Sequence, residues 1–185
     1  MKFFKSDTVA LVLLLVIPLA ITVRTQGPPS VRGTVALEGS MKKFYRAAGT
    51  IIVATIDGVE HVYHFTKNLV VHGGHGPGVD ALEGLREGST VVVHYTTDGN
   101  EQAAREVDVV GGEGLGVTEG IVTRIDRRRK QITVRYDNGT VESFLLTEHA
   151  AAETPNDVDR PGTRVVIYYS DQAGHRVAHF FRKTS

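Results

Sequence analysis

The chain has 185 residues, 41% hydrophobic and 23% charged, with 21 basic side chains balancing 21 acidic ones. This is ordinary globular composition and argues against wholesale disorder, while zero net charge supplies no global field to recruit nucleic acid. The absence of cysteine excludes disulfides, thiolate metal sites, thiol catalysis and the acylated residue of a bacterial lipoprotein.

A short basic lead with Lys2 and Lys5 precedes an apolar run over residues 8–23, which Arg24 ends. Such a pattern reads as an export signal, and it is shorter than the ~20 residues of a comfortable membrane span. The one small-x-small cleavage candidate, Ala20-Ile-Thr22, is a poor one. Residues 1–24 are therefore expected to be an uncleaved anchor or a cleaved signal. Lys2 and Lys5 would hold the N-terminus in the cytoplasm and leave the bulk outside. Residues 25–30, TQGPPS, form a stiff spacer.

Beyond the spacer the chain reads as two copies of one small β-domain, residues 31–110 and 117–185, joined by the Gly-rich linker GGEGLG at 111–116. The clearest marker is REGSTVVVHY at 86–95, which returns as RPGTRVVIYY at 160–169. Each is a turn followed by a strand of β-branched and aromatic residues. Domains of about 70–80 residues without disulfides are near the lower limit for a self-sufficient core, so the copies are expected to pack together. Seven Lys/Arg against ten Asp/Glu give copy one a net −3, and eleven against nine give copy two +2. A weak mutual attraction follows.

Both copies open a strand on Gly-x-Val, with Gly33 set against Gly120. In the second strands Ile51/Val53 align with Ile132/Val134 as inward positions. Hairpin turns follow at Asp57-Gly58 and at Asp137-Asn-Gly139, where Asn-Gly suits a type I′ turn. In the third strands Tyr63/Phe65 align with Phe144/Leu146, and both strands end in Thr. In the fourth strands Val91/Val93/Tyr95 and Val165/Ile167/Tyr169 face inward, while Thr90/Val92/His94 and Arg164/Val166/Tyr168 face outward. The offset between copies falls from 87 at Gly33/Gly120 to 81 at Thr66/Thr147 and 74 at Gly88/Gly162. Copy one is thus expected to carry six extra residues in its first hairpin, around 39–48, and seven in the crossing, around 72–78. Residues 79–85 are the best helical stretch. The fold class is all-β: two tandem five-stranded OB/SH3-like barrels behind an N-terminal apolar helix.

Gly120, Ile132, Val134, Asp137, Gly139, Phe144, Leu146, Thr147, Gly162, Val165 and Ile167 form one run of spaced positions. Leu85, Gly88, Val91 and Val93 repeat part of it. This layout resembles a family of exported bacterial domains of unknown function that often occur in tandem. The resemblance implies the small barrel fold and brings no catalytic residues.

Five of the eight histidines fall in copy one: His61, His64, His72, His75 and His94. His72 and His75 share a Gly-rich stretch that can bring two imidazoles to one ion, and neutral imidazole suits zinc, copper or nickel. His61 and His64 point to opposite faces of a strand and cannot chelate together. His64 and His94 are both expected outward and can meet if their strands are close. His175 and His179 share a face but sit too far apart for one ion without a third element.

Arg127, Arg128, Arg129 and Lys130 form a basic hairpin tip in copy two with Arg124 beside it, and Lys42, Lys43 and Arg46 are read as its counterpart in copy one. Such an edge can hold phosphate, lipid headgroup or acidic glycan by charge. Ser40-Met-Lys-Lys43 contains Ser-x-x-Lys but lacks the partner motifs of penicillin-interacting enzymes. No catalytic triad, phosphate loop or dinucleotide fingerprint is present.

The expectation is a non-enzymatic cell-envelope binding or assembly module, without cofactor, that contacts an envelope protein or an anionic component. It meets the membrane through its N-terminal segment, or is secreted if the signal is cleaved, and nucleic acid is not its partner. The alternative is a histidine-mediated metal-binding envelope protein, taking zinc or copper at His72 and His75 with help from His64 or His94.

Overall fold

A computed structural model describes residues 34–73, 81–153 and 160–184. The expected apolar N-terminal helix, the spacer, Gly33 and His75 lie outside the described residues. Among the described residues no helix is long and apolar enough to cross a membrane.

Barrel one is built from β1 (Thr34–Tyr45), β2 (Thr50–Ala54), β3 (Glu60–His64), β4 (Val70–His72), β5 (Thr90–Asp98) and β6 (Glu101–Val109). Barrel two uses β7 (Gly116–Asp126), β8 (Gln131–Arg135), β9 (Val141–Leu146), β10 (Arg164–Gln172) and β11 (His175–Lys183), with a short helix, α1 (Glu148–Ala152), before β10. The second barrel closes in the order β10-β11-β9-β8-β7, with β9 and β11 parallel. The first repeats that order as β3-β2-β1-β5-β6 and closes through a parallel pairing of His64 with Ala103. A strand order of 1-2-3-5-4 makes both barrels OB-like and settles the strand order that the sequence pattern left open. Each barrel has the expected five strands, and copy one adds β4 outside its barrel, parallel to the outer edge of β6. The expected helix at 79–85 is a single tight turn, Ala81–Gly84.

The inward alternation holds in both copies. Met41, Ile51, Val53, Tyr63, Val91, Val93 and Val107 fill barrel one. Val122, Ile132, Val134, Phe144, Val165, Ile167 and Phe181 fill barrel two. At about 1.5–3 kcal/mol for each fully buried large apolar side chain, these two cores carry most of the favourable burial.

The six-residue insertion expected in the first hairpin is not there. Tyr45 pairs with Thr50 as Asp126 pairs with Gln131, and each hairpin carries a bulge, between Met41 and Lys43 and between Val122 and Arg124. Gly39 pairs with Val91 as Gly120 pairs with Val165, so Gly39 is the true counterpart of Gly120. Both glycines mark a close approach: an added Cβ at Gly39 would lie 2.5 Å from Ala54 O, and at Gly120 3.1 Å from Val134 Cβ. The Gly-x-Val pattern selected the wrong glycine because Met41 stands where copy two has Val122. The longer crossing of copy one does belong there, and β4 is part of it.

Residues on the outward faces form a third apolar cluster at the junction of the barrels. Val92, Leu115 and Tyr168 are buried there, with Ala36, Val110, Val166 and Phe180 packed against them. Arg182 Nε donates to Glu38 Oε2 across the same junction at 2.9 Å. The outward sides expected for Val92, His94, Val166 and Tyr168 are therefore outward from their own barrels but covered by the other one.

Candidate metal centre

Beside that apolar cluster the junction holds a closed group of acids and imidazoles. On β6, Val107 and Val109 enter the barrel core, so Glu106 and Asp108 leave it on the opposite face. His94 of β5 pairs with Glu106, and His72 of β4 pairs with Asp108, which sets four chemical side chains on one face of barrel one.

Barrel two supplies three more. On β11, Ala178 pairs with Tyr169 and Phe180 with Tyr168, which leaves His179 as the extra residue of a bulge. The bulge lets His179 and Phe180 both leave the barrel core between the inward Ala178 and Phe181. α1 is N-capped by Thr147, whose Oγ1 accepts from Ala150 N at 3.1 Å. That cap sets the helix so that His149 and Glu153, four residues apart, share the face turned to barrel one.

One donor atom from each of His72, Glu106, Asp108 and His179 lies within 4.8 Å of every other. His72 Nε2 is 3.3 Å from Glu106 Oε1, and His179 Nδ1 is 3.7 Å from Glu106 Oε1 and 3.5 Å from Asp108 Oδ1. These gaps exceed the roughly 2.7–3.2 Å of a good hydrogen bond. They lie close to the edges, about 3.3–3.6 Å, of a tetrahedron whose ligands sit about 2.0–2.2 Å from a central ion. Asp108 Oδ1 and His179 Nδ1 are buried without a hydrogen-bond partner, and they face each other. Buried polar atoms are rarely left so.

Three of the four donors are held from behind. His179 Nε2 lies 2.9 Å from Ser170 Oγ, which itself accepts from Gln172 Nε2 at 2.9 Å. With the Nε2 proton on Ser170, the lone pair of Nδ1 points at the group. The second oxygen of Asp108 is 3.2 Å from His94 Nε2, and the second oxygen of Glu106 is 3.3 Å from His149 Nε2. Glu153 backs both imidazoles, at 2.7 Å from His94 Nδ1 and 3.5 Å from His149 Nδ1.

Burial opposes charge on His94, yet its bonds to Asp108 and Glu153 outweigh that and hold it up at about 10. Burial likewise opposes charge on His179, and the facing Asp108 and Glu106 lift it to about 9. The bond to Glu106 raises His72 against a smaller opposing effect of burial. Burial would raise Glu106 and Glu153, but the imidazoles facing them hold both below the usual carboxylate range. Three raised imidazoles thus face three carboxylates. A divalent ion replacing the protons of His72 and His179 would leave that charge balance unchanged.

Of the expected ligands, His72 is in the group and His94 supports it from behind. His64 is exposed on β3 and belongs to neither cluster of ligating side chains among the described residues. The third element that His179 lacked is barrel one. Glu106, Asp108, His149 and Glu153 went unrecognised, although two acids on the outward side of a Val-rich strand were a visible signal.

The basic residues do not assemble as expected. Lys42 and Lys43 lie within β1, away from the tip, and Lys43 Nζ reaches Glu87 Oε1 at 3.5 Å. The turn that corresponds to 127–130 is 46–49, which holds Arg46 of the expected counterpart, exposed. Arg124 is 3.2 Å from Asp126 Oδ2, Arg129 N donates to Asp126 Oδ1 at 3.0 Å, and Lys130 pairs with Glu148. Arg127 and Arg128 sit exposed in the same turn.

No family model and no curated protein matches the chain. Solved structures do. Silver-bound CusF from Escherichia coli is 11% identical, with 41% of this chain and 90% of that one covered and a TM-score of 0.32. Drosophila Unr CSD456 is 14% identical over 82% of this chain and 62% of that one, at 0.33. A mutant single-stranded DNA binding protein from Thermus aquaticus is 12% identical over 82% and 94%, at 0.24.

Proposed function

We propose that the protein binds one divalent transition-metal ion at the junction of its two barrels, as a non-enzymatic metal-binding protein of the cell envelope. The observation that carries this is the convergence of donor atoms of His72, Glu106, Asp108 and His179 within 4.8 Å of one another, with Asp108 Oδ1 and His179 Nδ1 buried without a partner. Two imidazoles and two carboxylates suit zinc or copper(II). Soft monovalent ions prefer sulfur, and this chain has no cysteine and keeps Met41 inside the core of barrel one. Envelope location is supported by the basic lead and apolar run at the N-terminus. The anionic-ligand reading is weaker, because Asp126 and Glu148 answer much of the basic hairpin's charge locally.

Competition titration of the full-length, metal-stripped chain with zinc and copper(II) tests the proposal. We expect one ion per chain with a dissociation constant below ~1 μM (about −8 kcal/mol). The pair His72→Ala with His179→Ala should weaken it at least about 100-fold. Stoichiometric affinity that survives both substitutions would overturn this site.

A further inference from the structure

Three donors come from barrel one and the fourth, His179, from barrel two, and the groups behind them also alternate between barrels. Barrel one's His94 stands between Asp108 and barrel two's Glu153, and barrel two's His149 stands behind barrel one's Glu106. The apolar part of the junction is small, with three fully covered side chains at its centre. Ion and docking therefore draw on the same contacts.

From this we infer that metal occupancy locks the two barrels together, and that α1 senses and enforces the lock. His149 and Glu153 touch no ion. They are positioning residues: His149 aims Glu106, and Glu153 fixes the ring of His94, which aims Asp108. An undocked barrel two removes one ligand and both supports at once, leaving barrel one with His72, Glu106 and Asp108. By linkage, whatever docking adds to ion affinity the ion returns to docking. The inference rests on the metal reading above and adds the partner surface that the ion controls.

The cysteine-free chain suits paired spin labels, with Ile56→Cys on barrel one and Arg128→Cys on barrel two, both exposed. The distance distribution is measured by pulsed electron resonance in urea below the unfolding midpoint, with and without zinc. We expect zinc to narrow the distribution in the wild-type background. In His179→Ala zinc still binds the three donors of barrel one, more weakly, and saturating zinc no longer narrows it. Equal narrowing in His179→Ala, or no change in a wild-type chain that has bound zinc, overturns the lock. Failure of the wild-type chain to bind zinc overturns the metal reading instead. For the positioning residues, Glu153→Gln and His149→Ala should each weaken zinc about 10–100-fold, the usual effect of losing a support behind a ligand. They should also shift the visible spectrum of the cobalt(II) form, with Glu153→Asp recovering part of the affinity. A variant that melts earlier yet keeps zinc affinity and cobalt spectrum would show Glu153 and His149 to be structural only.

Discussion

At equivalent positions the two barrels carry opposite chemistry. Where copy one has His94, Glu106 and Asp108 on its outward face, copy two has Tyr168, Phe180 and Arg182. The bulge residue is exposed Arg105 in copy one and buried His179 in copy two. The inward faces, by contrast, match residue for residue in kind: Ile51 with Ile132, Val53 with Val134, Tyr63 with Phe144. The inner face is therefore constrained by packing density, where a single methylene is felt. The outer face was free to diverge, so that acids and an imidazole in copy one stand where copy two has Tyr168, Phe180 and Arg182. A symmetric pair of outer faces would have made either a greasy seam or a repulsive one.

The largest break in this asymmetry should come from Asp108→Asn. It leaves the charged His94 and His179 without their shared anion in a buried site. We expect zinc binding to weaken at least about 100-fold and metal-free stability to drop by about 3–5 kcal/mol, read from urea denaturation.

The two glycines sharpen the comparison of the inner faces. Gly39→Ala pushes a methyl against a backbone oxygen at 2.5 Å, while Gly120→Ala meets a side chain at 3.1 Å. Thermal denaturation should show Gly39→Ala costing about 2–3 kcal/mol and Gly120→Ala about 1 kcal/mol.

Acid and base act differently on the metal-free and metal-bound forms. The raised folded values of His94, about 10, and His179, about 9, stabilise the metal-free fold fully below their unfolded value of 6.5. That stabilisation is lost as pH rises through 9 and 10. Lowered Glu106 and Glu153 contribute above the ordinary glutamate value of 4.5 and lose their contribution as pH falls below it. Metal-free stability should therefore be greatest between about pH 4.5 and 6.5. Zinc competes with the protons of His72 and His179, so its affinity should climb from pH 6 to pH 9 in calorimetric titration. A flat affinity profile would mean that these imidazoles are not ligands.

The smallest effect belongs to the basic turn. Replacing Arg127, Arg128 and Arg129 together by Ala should change stability by no more than about 0.5 kcal/mol and leave zinc affinity untouched.

The fold was legible because period-2 alternation reports burial directly, and it placed Val91, Val93, Val165 and Ile167 correctly. Histidine enrichment pointed to His72 and, as an outward residue, His94. What pattern alone does not reveal is where one outward face lands on another. Glu106 and Asp108 meet His149 and His179 only where barrel two covers their strand. His179 could be placed only once the bulge after Ala178 was seen, since strict alternation gives it no reason to sit beside an outward Phe180. His149 and Glu153 were hidden in a stretch too short to show helical periodicity.

Ser170, His94, His149 and Glu153 fasten every donor except one. His72 keeps 42% of its side chain exposed and sits on β4, a three-residue strand whose ladder partner among the described residues is the edge of β6. Ion release would therefore begin with β4 peeling from β6, well before the barrels part. The lifetime of the bound ion would then be set by the opening of this short edge strand, so an ion held tightly at equilibrium would still be handed over quickly.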